Sequence, residues 1–541
     1  MKKIIAFILF IVFLFSLLFL DLLFYKLGVQ KKVLDTIFTY LPTKPYYLEE
    51  MQVNTISSSR KYEICPKDSP AQRRDTNKYS ELKFVEKNFN DDVDNLTPPW
   101  LQSVLKIKKF DIHSVFENNK ALYYFHGDFN NDHKVDALVF KKSKFIKNGK
   151  QNIALLINNE GKLKEDKSFR HLDLLCGDHE QVLIADFDND SDLDIFLSCS
   201  TDMNVKYELH TMGYYDKKPQ SFFLINDGKG KFSERAFEAG IAIHNTSVYM
   251  RPEGASVADF NEDGWLDIIV SSRLFINNRD NTFTDQREEY GLPMQFDEGL
   301  SVADVNNDGT LDVIYHQPTA GPLIYTQKNN KFEYAHCLVQ PSPHNDSGMS
   351  LFDINMDGWV DIMNSWRPLE NTRSFSLLGS SKGFFAERAE WWEFPIKKNA
   401  SPVEKIKVAL EAPSYFLIDS DSRIDLIANL DQGGQKIFIN ETDISPLVIH
   451  IEMVDSDGMQ NQQGRKITLI PQDQQSIIYT KLVDAGSGYL TQSQYPVVFY
   501  SQFNKKHHGK AFFSDKVVSF QTEPGDKLRI YKSGKVEKIN Y

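Results

Sequence analysis

Six short stretches of the chain set carboxylates and amides at alternate positions, an arrangement that lets a loop wrap side-chain oxygens around one cation. Three are near-identical copies of GxSxxDxNxDGxxD, starting at Gly254, Gly299 and Gly348. In the first, Asp259, Asn261 and Asp263 take positions one, three and five, Gly264 permits the turn, Trp265 offers its carbonyl, and Asp267 closes the shell at position nine. Asp304, Asn306, Asp308 and Asp312 repeat the set, as do Asp353, Asn355, Asp357 and Asp361. Two earlier copies keep each oxygen donor but lack the glycine: Asp128, Asn130, Asp132 and Asp136 with His133, and Asp186, Asp188, Asp190 and Asp194 with Ser191. A positive-φ residue need not be glycine, although another side chain adds strain there. The last copy, Asp419, Asp421 and Asp425, reads as two residues shorter and hence as an incomplete shell. Calcium takes six to eight oxygens at about 2.3–2.6 Å, so the loops predict about five bound Ca2+ ions, with a sixth site uncertain. Asp, Asn and Gly also mark plain exposed turns, but turn chemistry does not explain a fixed one, three, five, nine spacing in five copies.

The loops must be held by something regular. Each is preceded by a β-rich apolar run such as SVADF or VLIADF and followed by another such as DIIV, DVIY or DIFL. Further on comes a second turn signal between apolar runs: LLINNEGKL, FLINDGKGKF, LFINNRDNTF, LIYTQKNNKF, LLGSSKGFF and IFINETD. Four strands and two turns, recurring at about fifty residues, are the content of a propeller blade. The expected fold is all-β: a six- or seven-bladed β-propeller at 106–445 and a small C-terminal β domain at 446–541, preceded by one N-terminal transmembrane helix. Any seventh blade would draw on the segment from Phe110 to Tyr124. The largest insertion between loops, Asn204 to Gln220, is a candidate functional loop.

Composition narrows the function. Hydrophobic residues make up 41% and charged residues 25% of 541, the balance of a folded chain. A net charge of -12 without a dense Lys/Arg stripe argues against nucleic acid as a partner. The four cysteines include no CxxC pair, which removes thiolate zinc and thioredoxin-like sites; Cys176 with Cys199 is the most local disulfide candidate. There is no HExxH, no GxSxG elbow, no GxxxxGK[ST] loop and no GxGxxG after a strand, and no catalytic residue is assigned. His507 and His508 in KKHHGK read as a solvated basic turn. Glu253 and Glu298 precede two loop-leading glycines and would be the carboxylate pair of an enzyme, an assignment weaker than that of plain surface charges. The tandem Trp391 and Trp392 cannot both lie on one strand face, so one ring is a candidate binding platform and the alternative is blade packing.

With its DxDxDGxxD loops, the stretch from about 120 to 440 resembles the FG-GAP or VCBS repeat family, whose relatives include the calcium-binding blades of integrin α-subunit propellers. The resemblance implies calcium in the loops and a role in adhesion or ligand capture. The stretch GRKITLIPQDQQSIIYTKLVDAGSGYLTQSQYPVVF, above all GSGYLTQ from Gly486 to Gln492, resembles the ASPIC/UnbV domain that often follows such repeats, although YSQ replaces its usual glycine-leucine-glycine near Phe499. GDKLRIYKSGKVEKI reads as a terminal hairpin around Ser533 and Gly534.

From Ile4 to Tyr25 the chain is apolar apart from Ser16 and Asp21, long enough to cross a hydrocarbon core of roughly 30 Å. Residues 1–25 read as a signal anchor that joins the protein to a membrane, and 26–105 as a juxtamembrane stem. Flanking lysines are balanced, but loops of this kind suit extracellular calcium, which places the propeller outside the cytoplasm, at the cell surface or in the periplasm. The expected function is that of a membrane-anchored recognition or adhesion protein for a protein or glycan ligand. A propeller-fold hydrolase or lyase acting on polysaccharide or lipid is the alternative.

Overall fold

Strands such as ASVA, DIIV and MSLF are short, and nearly all their side chains are buried on both faces, which a strand achieves only when its sheet is covered on each side. The computed structural model describes residues 79–81, 84–87, 122–141, 153–172, 174, 178–200, 221–243, 254–271, 273–293, 299–317, 321–337, 349–364, 373–381, 387–393, 413–419, 421–429, 435–443, 446–488, 492 and 496–539. All lie within one unit, residues 64–541. The membrane helix expected at 4–25 falls outside them, and no helix among the described residues is long and apolar enough to cross a membrane. Cys176, Glu253, Glu298 and the Asn204 to Gln220 insertion also lie outside the described residues.

Among the described residues the chain is all-β, with one short 3-10 turn at Lys167–Leu172. Among the described residues six antiparallel strand sets, called sheets below, follow one another, the third and fourth being joined into one nine-stranded sheet, and each opens with a strand that runs into an aspartate loop. The opening strands are Leu122–Gly127, Asp178–Ala185, Ala255–Ala258, Leu300–Ala303, Met349–Phe352 and Ser414–Phe416, each paired across its loop with the strand beginning at the position-nine aspartate. The sixth sheet takes its fourth strand, Phe84–Lys87, from ahead of the first sheet, paired with Gln435–Asn440. Tyr79–Glu81 adds a parallel edge to Glu387–Glu393 of the fifth. Both of these N-terminal strands come from the segment that the sequence assigns to the stem. In Glu387–Glu393 the register shifts so that Ser374 faces Trp392 and Phe375 faces Glu390, leaving Trp391 as the extra residue of a bulge.

Apolar clusters link each sheet to the next. Phe129 and Leu155 of the first pack with Ile184 and Leu224 of the second, and Phe187 and Phe223 of the second with Ile268 and Phe283 of the third. Phe260 and Tyr290 meet Tyr315 and Phe332, Ile314 meets Ile362, and Phe352 meets Phe438. Val135 of the first sheet packs on Phe416, Ile427 and Ile439 of the sixth. The succession of contacts therefore returns to its start, and the fold is propeller-like: the inner strands whose burial is described bury both faces, and the chain's own N-terminal strand pairs at the last outer edge.

After the sixth sheet the chain forms two further four-stranded sheets. Leu447–Val454 lies between Val497–Ser501 and Lys527–Tyr531, and Lys466–Pro471 between Tyr479–Leu482 and His507–Phe512, around a core that includes Ile451, Leu469, Phe499 and Ile530. The expected terminal hairpin is present, Lys527–Tyr531 with Val536–Lys538. The expected basic turn at His507 and His508 is instead the start of a strand; His507 is fully buried, with Nε2 2.9 Å from Ser501 Oγ, while His508 faces water. Alternation of buried and exposed residues through HHGKAF accounts for the difference, since period two belongs to a strand.

Candidate metal centres

The position-nine aspartate of each loop begins a strand and is entirely buried: Asp136, Asp194, Asp267, Asp312, Asp361 and Asp425. Its Oδ2 accepts the backbone N–H at position two, from Phe129, Phe187, Phe260, Val305, Ile354 and Ile418 in turn, at 2.7–3.1 Å. Its Oδ1 accepts an N–H from the third strand, at Asn158, Asn226, Asn277, Gln327, Gly379 and Asn440, at 2.7–3.1 Å. Position nine is thus a backbone staple as well as a candidate ligand, a role that spacing alone does not reveal. The third-strand amides extend it. Asn226 Nδ2 donates to the Phe129 carbonyl of the preceding loop, Asn277 Nδ2 to that of Phe187, and Gln327 Nε2 to that of Phe260. The IN before the second turns of the second and third units was a signal for two of these links, hidden among residues that favour turns anyway, while the third comes from Gln327 in YTQ.

Position one organises the tip. Asp128, Asp186, Asp259, Asp304 and Asp353 each accept the N–H groups of positions five and six on their two oxygens at 2.7–3.1 Å. Position five in turn accepts the N–H of position seven: Asp132 from Lys134, Asp190 from Asp192, Asp263 from Trp265, Asp308 from Thr310 and Asp357 from Trp359. Position three leans toward position five, with Asn261 Nδ2 3.0 Å from Asp263, Asn306 Nδ2 2.9 Å from Asp308 and Asn355 Nδ2 3.2 Å from Asp357. The Asn130 amide nitrogen, oriented by its neighbours, reaches Asp128 and Asp132 at 3.2 Å. At position six the backbone is left-handed whatever the residue: φ is 88° at Gly264, 95° at Gly309 and 87° at Gly358, but also 63° at His133 and 75° at Ser191. The two loops without glycine keep the shape.

In the sixth loop, Ile418 N–H and Asn440 N–H meet Asp425 as their counterparts meet the other position-nine residues. Counting back, Asp421 is position five, bonded to the N–H of Arg423, and Ser422 at position six has φ 65°. The expected two-residue deletion is absent: the loop has full length, and buried Leu417 stands at position one where the others have aspartate. The misalignment arose because Asp419 was matched to the first aspartate rather than to position three. Arg423 at position seven forms an ion pair with Asp421 and donates from Nε to the Asn440 carbonyl. A guanidinium therefore pairs with position five here, as Lys134 does with Asp132 in the first loop and Arg279 with Asp263 in the third.

Among the described residues, the second loop gathers three carboxylates as a hard cation would need. One oxygen each of Asp186, Asp188 and Asp194 lie within 4.8 Å of one another, and Asp188 Oδ1 is buried with no hydrogen bond. Burial pushes Asp136 and Asp186 up to about 7, Asp188 to about 6, Asp304 to about 7, Asp312 to about 8 and Asp353 to about 7, with neighbouring carboxylates adding to the rise. Asp194, Asp267 and Asp361 are raised well above the carboxylate range, again first by burial. Carboxylates gathered so deeply resist ionising together unless a cation joins them.

Three cations of the C-terminal domain, Arg465, Lys466 and Lys481, reach this layer, Lys466 by an ion pair with Glu262, and none was recognisable in sequence. Arg465 is buried; it donates from Nη1 to Gly264 O at 2.8 Å and from Nη2 to Asn189 Oδ1, and its charge acts on Asp186 and Asp259. Lys481, its pKa lowered by burial, is drawn to Asp353 and Asp361. A cleft of about 380 Å³ lies between the third loop and the turn Phe512 to Val517.

No protein-family model and no curated protein matches the chain. Among solved structures it is similar to BBS1N, crystallised in complex with ARL6DN and soaked with lead, at 8% identity over 68% of this chain and 99% of that one, with a TM-score of 0.33. It is also similar to the V. cholerae biofilm matrix protein Bap1, at 11% identity over 74% of this chain and 66% of that one, with a TM-score of 0.27. These neighbours share an all-β character with the chain.

Proposed function

We propose that the chain is a six-bladed β-propeller of the FG-GAP or VCBS type with an ASPIC/UnbV-like C-terminal domain, binding calcium in its first five aspartate loops. It acts as a recognition or adhesion module, anchored by its N-terminal helix with the propeller outside the cytoplasm. The observation that supports calcium is the shared geometry of five loops, whose position-one and position-nine carboxylates hold the backbone, together with the gathering of Asp186, Asp188 and Asp194 oxygens within 4.8 Å in the second. In such a site Asp259, Asn261, Asp263, Asp267 and their counterparts supply side-chain oxygens, and the ion supplies the positive charge that lets buried carboxylates coexist. The sixth loop, with Leu417 and Arg423, takes no ion.

Recognition is favoured over catalysis because the chain's own residues occupy the space between the opening strands. Thr480 to Gly486 line, together with Ser256, Ser301 and Ser350 of three sheets, a cavity of only about 100 Å³. Equilibrium dialysis of the full-length protein in detergent should give about five calcium ions per chain, and a glycan and protein ligand screen should give hits in calcium that vanish with chelator. Absence of bound calcium at millimolar concentration would overturn the assignment.

A further inference from the structure

The C-terminal domain touches the propeller-like part in two places. The first is the layer of loop tips. Asn461 Nδ2 donates to Ser191 O at 2.6 Å, Ser191 Oγ to Asp455 at 2.7 Å, Arg465 Nη1 to Gly264 O, Ile478 N–H to Asn307 O at 2.9 Å, and Tyr500 Oη to Ser422 O at 2.9 Å. Every loop residue in this set stands at position four or six of its loop, where φ is positive: 75° at Ser191, 88° at Gly264, 55° at Asn307 and 65° at Ser422. In the second, third and fourth loops the docking groups are therefore aimed by the same turn that the position-one carboxylate folds, whereas Ser422 belongs to the loop with Leu417 at that position.

The second place is the line of opening strands. Ser487–Gly488 pairs antiparallel with Ala255 and Ser256 on one side and with Leu300 on the other, joining the third and fourth sheets. Ala485 O accepts the N–H of Ile184 at 2.8 Å, and the Gln492 side chain exchanges two hydrogen bonds with the His126 backbone at 2.7 and 3.1 Å. Opening strands of four sheets are thus tied to one strap. Gly486 sits in it at φ 94°, and a Cβ there would lie 2.1 Å from Val182 O.

We propose that the C-terminal domain is a clasp whose seating and the cation loading of the loops form one linked equilibrium: loaded loops present the acceptors that seat the domain, and the seated domain holds the loops in their binding shape. This rests on the calcium assignment above. Linkage is reciprocal, so a lesion in the strap, away from any loop ligand, must weaken cation binding.

The test uses full-length protein in detergent, with calcium itself as the probe. Calcium affinity is measured by dialysis, and amide exchange of residues 484–488 is followed in calcium and in chelator. Chelation should speed exchange at Ser487 and Gly488 at least tenfold, and Gly486→Val should lower mean calcium affinity about fivefold or more. Should Gly486→Val not fold, Asn461→Ala with Arg465→Gln replaces it. Simple charge removal at Arg465 would strengthen cation binding, whereas the clasp requires weakening, so the sign is informative. Wild-type protein that binds calcium while its strap exchanges at the same rate with and without the ion would overturn the clasp and leave the calcium assignment standing. Wild-type protein that binds no calcium would overturn both.

Discussion

Replacing Asp267 by asparagine separates the two roles of position nine. The carboxylate is fully buried and accepts Phe260 N–H at 2.9 Å and Asn277 N–H at 2.8 Å. Asparagine keeps one acceptor and turns an NH2 toward the other N–H, leaving one buried donor unmet. Loss of a buried hydrogen bond, with its partner N–H left unsatisfied, costs about 2–3 kcal/mol. At about 1.4 kcal/mol per factor of ten, local opening at Phe260 and Asn277 should become about 30- to 100-fold more frequent, read as faster amide exchange. The control is Asn261→Ala. Asn261 is partly exposed and bonds only within its own loop, to Asp263, so in chelator its removal should cost under about 1 kcal/mol. In calcium it should forfeit part of the ion's stabilisation, about 2.7 kcal/mol at one hundred times the dissociation constant. Asp267→Asn therefore loosens the blade with or without calcium, and Asn261→Ala loosens it mainly with calcium. Unchanged exchange at Phe260 and Asn277 in chelator-treated Asp267→Asn would refute the staple and leave Asp267 as a ligand alone.

His133 is exposed with φ 63°, so His133→Gly should relieve about 1 kcal/mol of left-handed strain and raise the denaturant midpoint. Gly264→Ala should do the reverse and more strongly, since its Cβ would lie 2.0 Å from Ser514 O; equal midpoints for the two variants would contradict the loop geometry. His450 is buried and held neutral, its pKa lowered to about 4 by burial and then by Lys527. The unfolded chain takes up this proton below about pH 6.5, so stability present above that pH falls as pH drops toward 4, by about 3 kcal/mol in all. His450→Gln should flatten that slope in denaturant titrations run in excess calcium, and a slope equal to that of the wild type would show that the proton is taken up elsewhere. Leu417→Asp with Arg423→Thr restores the ligand pattern of the other loops and should add one calcium ion per chain in dialysis, while unchanged stoichiometry would exclude Arg423 as the group that replaces the ion.

Repetition made the sheets legible. Apolar runs on either side of each aspartate loop became the first two strands of a sheet, and the second turns became the connections between the third and fourth. What repetition hides is anything made once. Phe84–Lys87 completes the sixth sheet from hundreds of residues away, and nothing in FVEK distinguishes an outer strand from a stem. Spacing located the oxygen donors at Asp259 and its counterparts, but it assigned position nine to the metal alone, because hydrogen bonds to Phe260 and Asn277 depend on strand pairing rather than on sequence interval. It also misjudged the last loop. A pattern anchored on its first aspartate cannot align a copy in which that residue has become Leu417, whereas the N–H bonds to Asp425 can.

The charges of the loop layer explain why the two parts of the chain suit each other. In the first, third and sixth loops a positive group is local: Lys134 against Asp132, Arg279 against Asp263 and Arg423 against Asp421. The second and third loops share Arg465, and the fifth has Lys481 near Asp353 and Asp361, both cations coming from the C-terminal domain. Among the described residues the fourth receives hydroxyls, Thr480 at Asp304 and Thr310 at Asp308. A hydroxyl stabilises a carboxylate without cancelling its charge, so the fourth loop leans hardest on a bound ion, and the loops beside Arg465 and Lys481 compete with a tethered cation for their carboxylates. Ion affinity should therefore be graded around the layer, strongest at Asp304 and weaker at Asp353. Removing Lys481 as Lys481→Met should raise affinity at the fifth loop while leaving the fourth unchanged. Such a gradient would let the domain stay seated over a range of calcium concentrations, with the loops nearest its own cations the first to empty.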